Sequence, residues 1–224
     1  MIKISNRLTT IANLVLKEKT NGVIDVGCDH ALLDIYLLQN NNNIKIIASD
    51  INKLPLESAK KNIEKYSFLN KIVLKEKDGL LGIENDIDTV VISGMGEETI
   101  TKILKRDKSY LKNVNRLIIS SNTNNYKVRR DIIELGYLIK DEKVVFEEGK
   151  YYVIIEFTKG FKKYTNKELY IGPILKNDLN LSYNYYKYLF DKKSEIIKKI
   201  PDGNKENEKL KKEIKLLEET LLLK

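Results

Sequence analysis

The run Val23-Ile24-Asp25-Val26-Gly27-Cys28-Asp29-His30 constrains this chain more than any other stretch. An apolar strand enters a short loop that carries one glycine and two carboxylates. The next strand, Ile44-Lys45-Ile46-Ile47-Ala48-Ser49, ends on a further acid, Asp50. A glycine at the tip of one strand and an acid ending the next is how a doubly wound α/β domain holds a nucleoside cofactor. The loop does not suit a dinucleotide. G-x-G-x-x-G uses several glycines to let backbone N–H groups approach a pyrophosphate, and only Gly27 is present. Asp25, Asp29 and Asp34 would repel a pyrophosphate but suit a ligand bearing an ammonium and a sulfonium. S-adenosylmethionine has both. An ordinary α/β turn can carry the same residues with no ligand, so the other loops must decide.

They fall in a consistent pattern. Ser5 is an N-cap before an amphipathic lead-in helix with Leu8, Ile11, Ala12 and Val15 on one face. Ala31–Leu38 reads as a buried helix, and Pro55 opens another with Leu56, Ala59, Ile63 and Tyr66 inward. Ile72-Val73-Leu74 is a strand leading to Asp78-Gly79-Leu80. Thr89–Ser93 is a strand ending in Gly94-Met95-Gly96, with a helix after Glu97 and Glu98. Leu117-Ile118-Ile119 ends at Ser120-Ser121-Asn122, and the helix from about Asn125 closes at Gly136. Leu138–Phe146 and Tyr151–Phe157 flank Glu147-Glu148-Gly149-Lys150 as an antiparallel hairpin. Five βα units and a hairpin imply a mainly parallel sheet with ligands at the strands' carboxyl ends. Asp25–His30, Asp50, Asp78 and Gly94–Gly96 all fall at that edge.

After Gly160 the pattern becomes helical. Leu175, Leu179, Ser182, Tyr186, Leu189, Lys193, Ile196 and Ile200 step by four and three; after Pro201-Asp202-Gly203-Asn204 the rhythm resumes at Leu210, Ile214, Leu217 and Leu221. This predicts an antiparallel helical hairpin with a coiled-coil-like seam, weakened by Ser182 and Lys193, whose first arm spans roughly 40 Å. The division expected is 1–160 and 161–224. Net charge is +8, of which residues 161–224 carry +5 (15 Lys against 10 Asp and Glu). A basic tail fits a polyanionic partner, though lysine and asparagine abundance can equally reflect genome composition. One cysteine excludes an internal disulfide and, with one histidine, argues against a zinc site. With no membrane-length apolar run and no leader pattern, a cytoplasmic, monomeric protein is expected.

In order along the chain stand Asp25-x-Gly27-x-Asp29-His30-Ala31-x-Leu33, Pro55-Leu56-x-x-Ala59, Asp78-Gly79-Leu80, Gly94-Met95-Gly96, Asn122 with Arg129/Arg130, and Glu148-Gly149-Lys150-x-Tyr152. Over residues 5–160 this resembles the bacterial tRNA (adenine-22-N1)-methyltransferases, and the tail is similar in character to that family's C-terminal coiled coil. Glu97 stands where the family has a second glycine, and Ser120-Ser121 where it has Gln-Pro. The resemblance implies a class I methyltransferase fold, S-adenosylmethionine as cofactor, adenine N1 as methyl acceptor and tRNA as partner. Another substrate on the same fold, or a noncatalytic binding module, are the alternatives.

Residue roles follow as expectations. Asp25 and Gly27 meet the methionine moiety, Asp50 the ribose hydroxyls, and Asp78 with Gly79 the cofactor adenine; Asp29, His30, Ile51, Ser93 and Gly94 complete the cofactor set. His30 is open as a general base or as a packed, cofactor-contacting ring. Gly94-Met95-Gly96 would hold the target base, with a freed backbone carbonyl accepting from its amine. Asp29 would stabilise the positive charge that develops on the methylated ring, or only structure its loop. N1 lies on the pairing edge, so the base must leave its stack. Candidates to hold RNA are Lys102, Lys105, Arg106, Asn122, Arg129, Arg130 and the tail lysines.

Overall fold

A computed structural model of the 224-residue chain describes residues 2–177, 179–201 and 203–222. The seam side chain expected at Leu179 and the turn residue Asp202 lie outside the described residues. The chain forms two compact units, residues 1–162 and 163–224.

In the first unit, α1 (Asn6–Leu16) begins at Ser5, whose hydroxyl accepts from the Leu8 N–H at 3.2 Å. Ile11, Ala12, Leu14 and Val15 are buried, as its amphipathic spacing predicts. Then follow β1 (Gly22–Val26), α2 (Leu32–Asn40), β2 (Lys45–Asp50), α3 (Lys53–Lys65), β3 (Ile72–Glu76), β4 (Thr89–Met95), α4 (Glu97–Arg106), β5 (Arg116–Ser121) and α5 (Asn125–Glu134). The antiparallel pair β6 (Tyr137–Glu147) and β7 (Lys150–Lys159) completes the sheet. Its two-residue turn places Glu148 at φ 49° and Gly149 at φ 75°, the left-handed pair that a tight hairpin needs.

The seven-stranded order is β3-β2-β1-β4-β5-β7-β6, with the first five strands parallel. The expected Rossmann-like methyltransferase architecture is therefore present. One difference is local: the β3–β4 crossover carries no helix. The order in which strands are added reverses between β1 and β4, the switch point at whose carboxyl edge such folds bind ligands. β1 is buried along its whole length, so its apolar run packs on both faces.

A buried pair fixes α1 against this sheet. Arg116 of β5 meets Glu156 of β7 at 2.9 Å and donates to the Leu14 and Val15 carbonyls, closing the C-terminal end of α1. At the other end, the Glu147 carboxylate accepts the Asn6 N–H at 2.6 Å.

The second unit holds α6 (Asn166–Ile171), α7 (Leu179–Ile197) and α8 (Lys205–Leu222). Thr165 and Glu168 cap α6 reciprocally. The first arm is shorter than its periodicity predicts. Leu175–Asn177 is a separate 3-10 turn, which leaves 19 helical residues, about 28 Å. Ser182, Tyr186, Leu210 and Leu217 are buried, and Lys193 is matched by Glu213 at 2.7 Å. The polar seam residue thus finds a partner on the facing helix.

Candidate active site

Two cavities meet at the carboxyl edge of β1, β2 and β4. One, of about 480 Å³, is lined by Gly27, Asp50, Ile51, Lys77, Asp78, Gly79, Lys102 and Arg106 among others. The other, of about 490 Å³, is lined by Arg7, Asp25, Asp29, His30, Ser93, Gly94, Asn122 and Tyr152 among others. Gly27, Asp50 and Met95 belong to both.

Glycine is required at the junction. Gly27 has φ +80°, and a Cβ there would come 2.4 Å from the Met95 methyl group. β4 contains a bulge: Ser93 pairs with Ser120 and Met95 with Ser121, which leaves Gly94 as the unpaired extra residue at φ +85°. This bulge turns Met95 toward the tip of β1. The Gly94 carbonyl, freed from the ladder, accepts from Asn122 Nδ2 at 2.6 Å, and the Asn122 N–H donates to Met95 at 2.9 Å. Asn122 is thus a wall of this cavity. Its hydrogen bond occupies one lone pair of the carbonyl expected to face a target amine and leaves the second.

The charge distribution differs between the cavities. Asp50 lines both cavities, and its Oδ1 accepts the Asn52 N–H at 2.9 Å. Asp78 is ion-paired with Arg106, and Arg106 Nε also meets the buried Asp107 at 2.7 Å. A Cβ on Gly79 would fall 2.5 Å from the Asp107 carboxylate, so this network needs glycine there. On the other side Asp25 is buried, and burial together with the charge of Asp50 pushes its carboxyl up to about 7. Asp34 beneath it is fully buried with neither oxygen hydrogen-bonded, and desolvation, then Asp25, holds it well above the usual carboxylate range. Cys28 is a buried free thiol, pushed up chiefly by burial and hence protonated. Asp29 adopts φ 49° with its side chain 70% exposed; His30 Nε2 lies 3.6 Å from it and is itself half exposed. His30 is not a packed core ring.

Other expected residues fall elsewhere. Gly96 lines neither cavity and is the N-cap of α4 at an ordinary φ of −73°. Arg129 is corrected: its side chain is 1% exposed and its Nε donates to the equally buried Glu142 at 2.6 Å, so it cannot offer its charge to RNA. Arg106 is committed to Asp78 and Asp107 in the first cavity's wall. Lys105 and Arg130 both pair with Asp131, away from the cavities. Lys102 lines the first cavity. Arg7, Lys77 and Tyr152 were not singled out as site residues from the sequence. A signal for Arg7 exists: an arginine in a helix's first turn with no acid in that turn.

This set of loops is that of a known class. A methyltransferase-domain family matches residues 4–155. The Bacillus subtilis (strain 168) tRNA (adenine(22)-N(1))-methyltransferase is 30% identical over 188 residues, 80% of this chain and 77% of that protein. The structure of M. capricolum TrmK in complex with S-adenosyl-homocysteine superposes with a TM-score of 0.85 at 32% identity, over 98% of both chains. That of the B. subtilis M1A22 tRNA methyltransferase TrmK gives 0.87 at 26% identity, over 99% of this chain and 100% of that one. The chain is a methyltransferase-domain protein. Within that class it belongs to the tRNA (adenine(22)-N(1))-methyltransferase family.

Proposed function

We propose that this protein transfers the methyl group of S-adenosylmethionine to N1 of an adenosine in tRNA, position 22 in the family's numbering. The observation that carries the reading is the junction of two cavities at Gly27, Asp50 and Met95, one able to hold a nucleoside and the other its amino-acid end and a base. The residues present fit the cofactor. Gly27 offers a cradle that a Cβ would fill, Asp50 an acceptor for ribose hydroxyls, and Ile51 and Ile103 apolar walls for a purine. Asp25 supplies a carboxylate for an ammonium. When bound, S-adenosylmethionine contributes an activated, electrophilic methyl group.

Adenine N1 has a free lone pair at neutral pH, so positioning outweighs base catalysis and can supply on the order of 7–11 kcal/mol. Gly94-Met95 and Asn122 form the surface against which the base is held. Asp29, exposed at the mouth, stabilises the positive charge on the product ring and can take a proton from the exocyclic amine. The target is unpaired before it enters. Lys102 and the basic second unit hold the RNA backbone, recognising shape more than sequence. The protein acts as a monomer in the cytoplasm. No helix among the described residues is long and apolar enough to cross a membrane, and none of their His, Cys, Asp or Glu form a metal-holding cluster.

The test is incubation with S-adenosylmethionine and unmodified tRNA, followed by mapping of reverse-transcription stops. A single new stop at an adenosine is expected, because N1-methyladenine blocks pairing. Folded protein that binds S-adenosylhomocysteine but methylates no tRNA would overturn the substrate. Removing residues 163–224 should weaken tRNA binding and flatten its salt dependence; unchanged binding would remove the second unit from the reading.

A further inference from the structure

Arg7 stands out in the second cavity because it forms no ion pair among the described residues. It occupies the first turn of α1, which holds no acid of its own; Glu147 caps the Asn6 N–H at that end but forms no ion pair with Arg7 among the described residues. Its guanidinium lies 4.7 Å from the centroid of the Tyr152 ring. Its Nε is buried with no hydrogen-bond partner among the described residues. Its Nη1 reaches to 3.9 Å from where a side chain on Gly94 would begin. Asp25, Asp29 and Asp50 line the same cavity, yet Arg7 forms an ion pair with none of them among the described residues. The helix that carries it is fixed at both ends, by Arg116 and by Glu147, so the guanidinium is held in place by the fold.

We infer that Arg7 is the oxyanion-binding residue of this site, held on Tyr152 so that its free N–H groups face an anionic group brought in by a ligand. A planar fork of N–H donors matches a carboxylate or phosphate, and stacking on an aromatic face leaves its edge donors available. The carboxylates around it take care of the ligand's positive groups, and Arg7 supplies the one permanent positive charge on the cavity's lining. Under the function proposed above, two ligands carry such an oxyanion to this place. One is the α-carboxylate of the cofactor's amino-acid end; the other is a backbone phosphate of the target nucleotide.

The test uses the full chain, as wild type, Arg7→Gln and Arg7→Lys. Three probes are measured: S-adenosylhomocysteine and 5′-methylthioadenosine by calorimetry, and unmodified tRNA by steady-state methylation. If Arg7 holds the carboxylate, Arg7→Gln weakens S-adenosylhomocysteine at least tenfold and leaves 5′-methylthioadenosine, which lacks the amino-acid end, within twofold. If it holds a phosphate, both nucleosides stay within twofold, while KM for tRNA rises at least tenfold and its salt dependence flattens by about one phosphate contact. In either case Arg7→Lys recovers part of the loss. Arg7→Gln within twofold of wild type on all three probes overturns the inference. So does equal weakening of both nucleosides in both variants, which marks a purely structural residue. Wild-type methylation in the same assay reports separately on the proposed function.

Discussion

The two cavities at the sheet edge are built from similar residue types but treat their charges in opposite ways. On the side of Asp78 and Gly79, the carboxylates and Arg106 satisfy one another, and Asp107 also accepts the Leu80 N–H at 2.8 Å. On the side of Asp29 and Gly94, four buried polar atoms have no hydrogen-bond partner among the described residues: Arg7 Nε, Ser93 Oγ and both oxygens of the underlying Asp34. A buried polar group without a partner costs roughly 1–3 kcal/mol, and of these atoms Arg7 Nε and Ser93 Oγ belong to residues that line the second cavity, where a ligand can offer a partner. The first cavity is a finished wall against which a nucleoside can rest. The second keeps contacts open, and the proposed function puts the methyl transfer there.

The contrast can be broken most sharply at Asp29. Asp29→Ala is expected to lower kcat for tRNA methylation by roughly 10²–10³, the scale for losing one group that stabilises transition-state charge. Affinities for S-adenosylhomocysteine and tRNA should move less than threefold. Parallel loss of binding and turnover would reduce Asp29 to a loop residue.

Asp50 touches both cavities, so its effect should fall on cofactor affinity. Asp50→Ala is expected to weaken S-adenosylhomocysteine by about 10- to 100-fold, equivalent to roughly 1.4–2.8 kcal/mol by calorimetry. Unchanged affinity would move the ribose elsewhere.

The pH dependence of binding distinguishes the two sides through Asp25. Its folded-state pKa of about 7 lies above the unfolded value, so the protonated form is favoured in the folded, ligand-free protein. The contribution of Asp25 to stability without ligand is therefore fully present below about pH 4 and is lost as pH rises from about 4 to about 7. An ammonium-bearing ligand prefers the ionised form, so S-adenosylhomocysteine should bind about tenfold more tightly at pH 8 than at pH 6. 5′-Methylthioadenosine should show little slope, and Asp25→Asn should abolish the slope for both. An equal slope for the two nucleosides would place the titrating group outside the amino-acid end.

The smallest effect is expected at Lys105, whose charge Asp131 already compensates. Lys105→Ala should change stability by less than about 1 kcal/mol and KM for tRNA by less than twofold. A larger change in KM would return this residue to the RNA-facing surface.

The site loops were readable because their residues are short-range statements. Gly27 and Gly94 are needed for positive φ, Asp50 ends an apolar strand, and Pro55 starts a helix; each carries its reason within a few neighbours. Charged surface residues had no such local reason. Arg129 and Arg130 are adjacent in the chain, yet one is sealed against Glu142 and the other lies on the surface beside Asp131. Helical phase separates them by about 100°, and only the packing of α5 against β6 decides which one turns inward. Arg106 likewise reads as a free cation until the fold brings Asp78 to it, beside its chain neighbour Asp107.

The linear order of residues alone determined the alternating elements, the apolar strands and the acids and glycines at their ends, because hydrophobic period and turn chemistry act between near neighbours. Tertiary structure alone decided which charges remain available. It set Arg7 from the first helix over Tyr152 from the last strand, and it used the Gly94 bulge to aim Met95 at Gly27. Those pairings join residues far apart in the chain, and their energies depend on burial and on partners that no local pattern specifies.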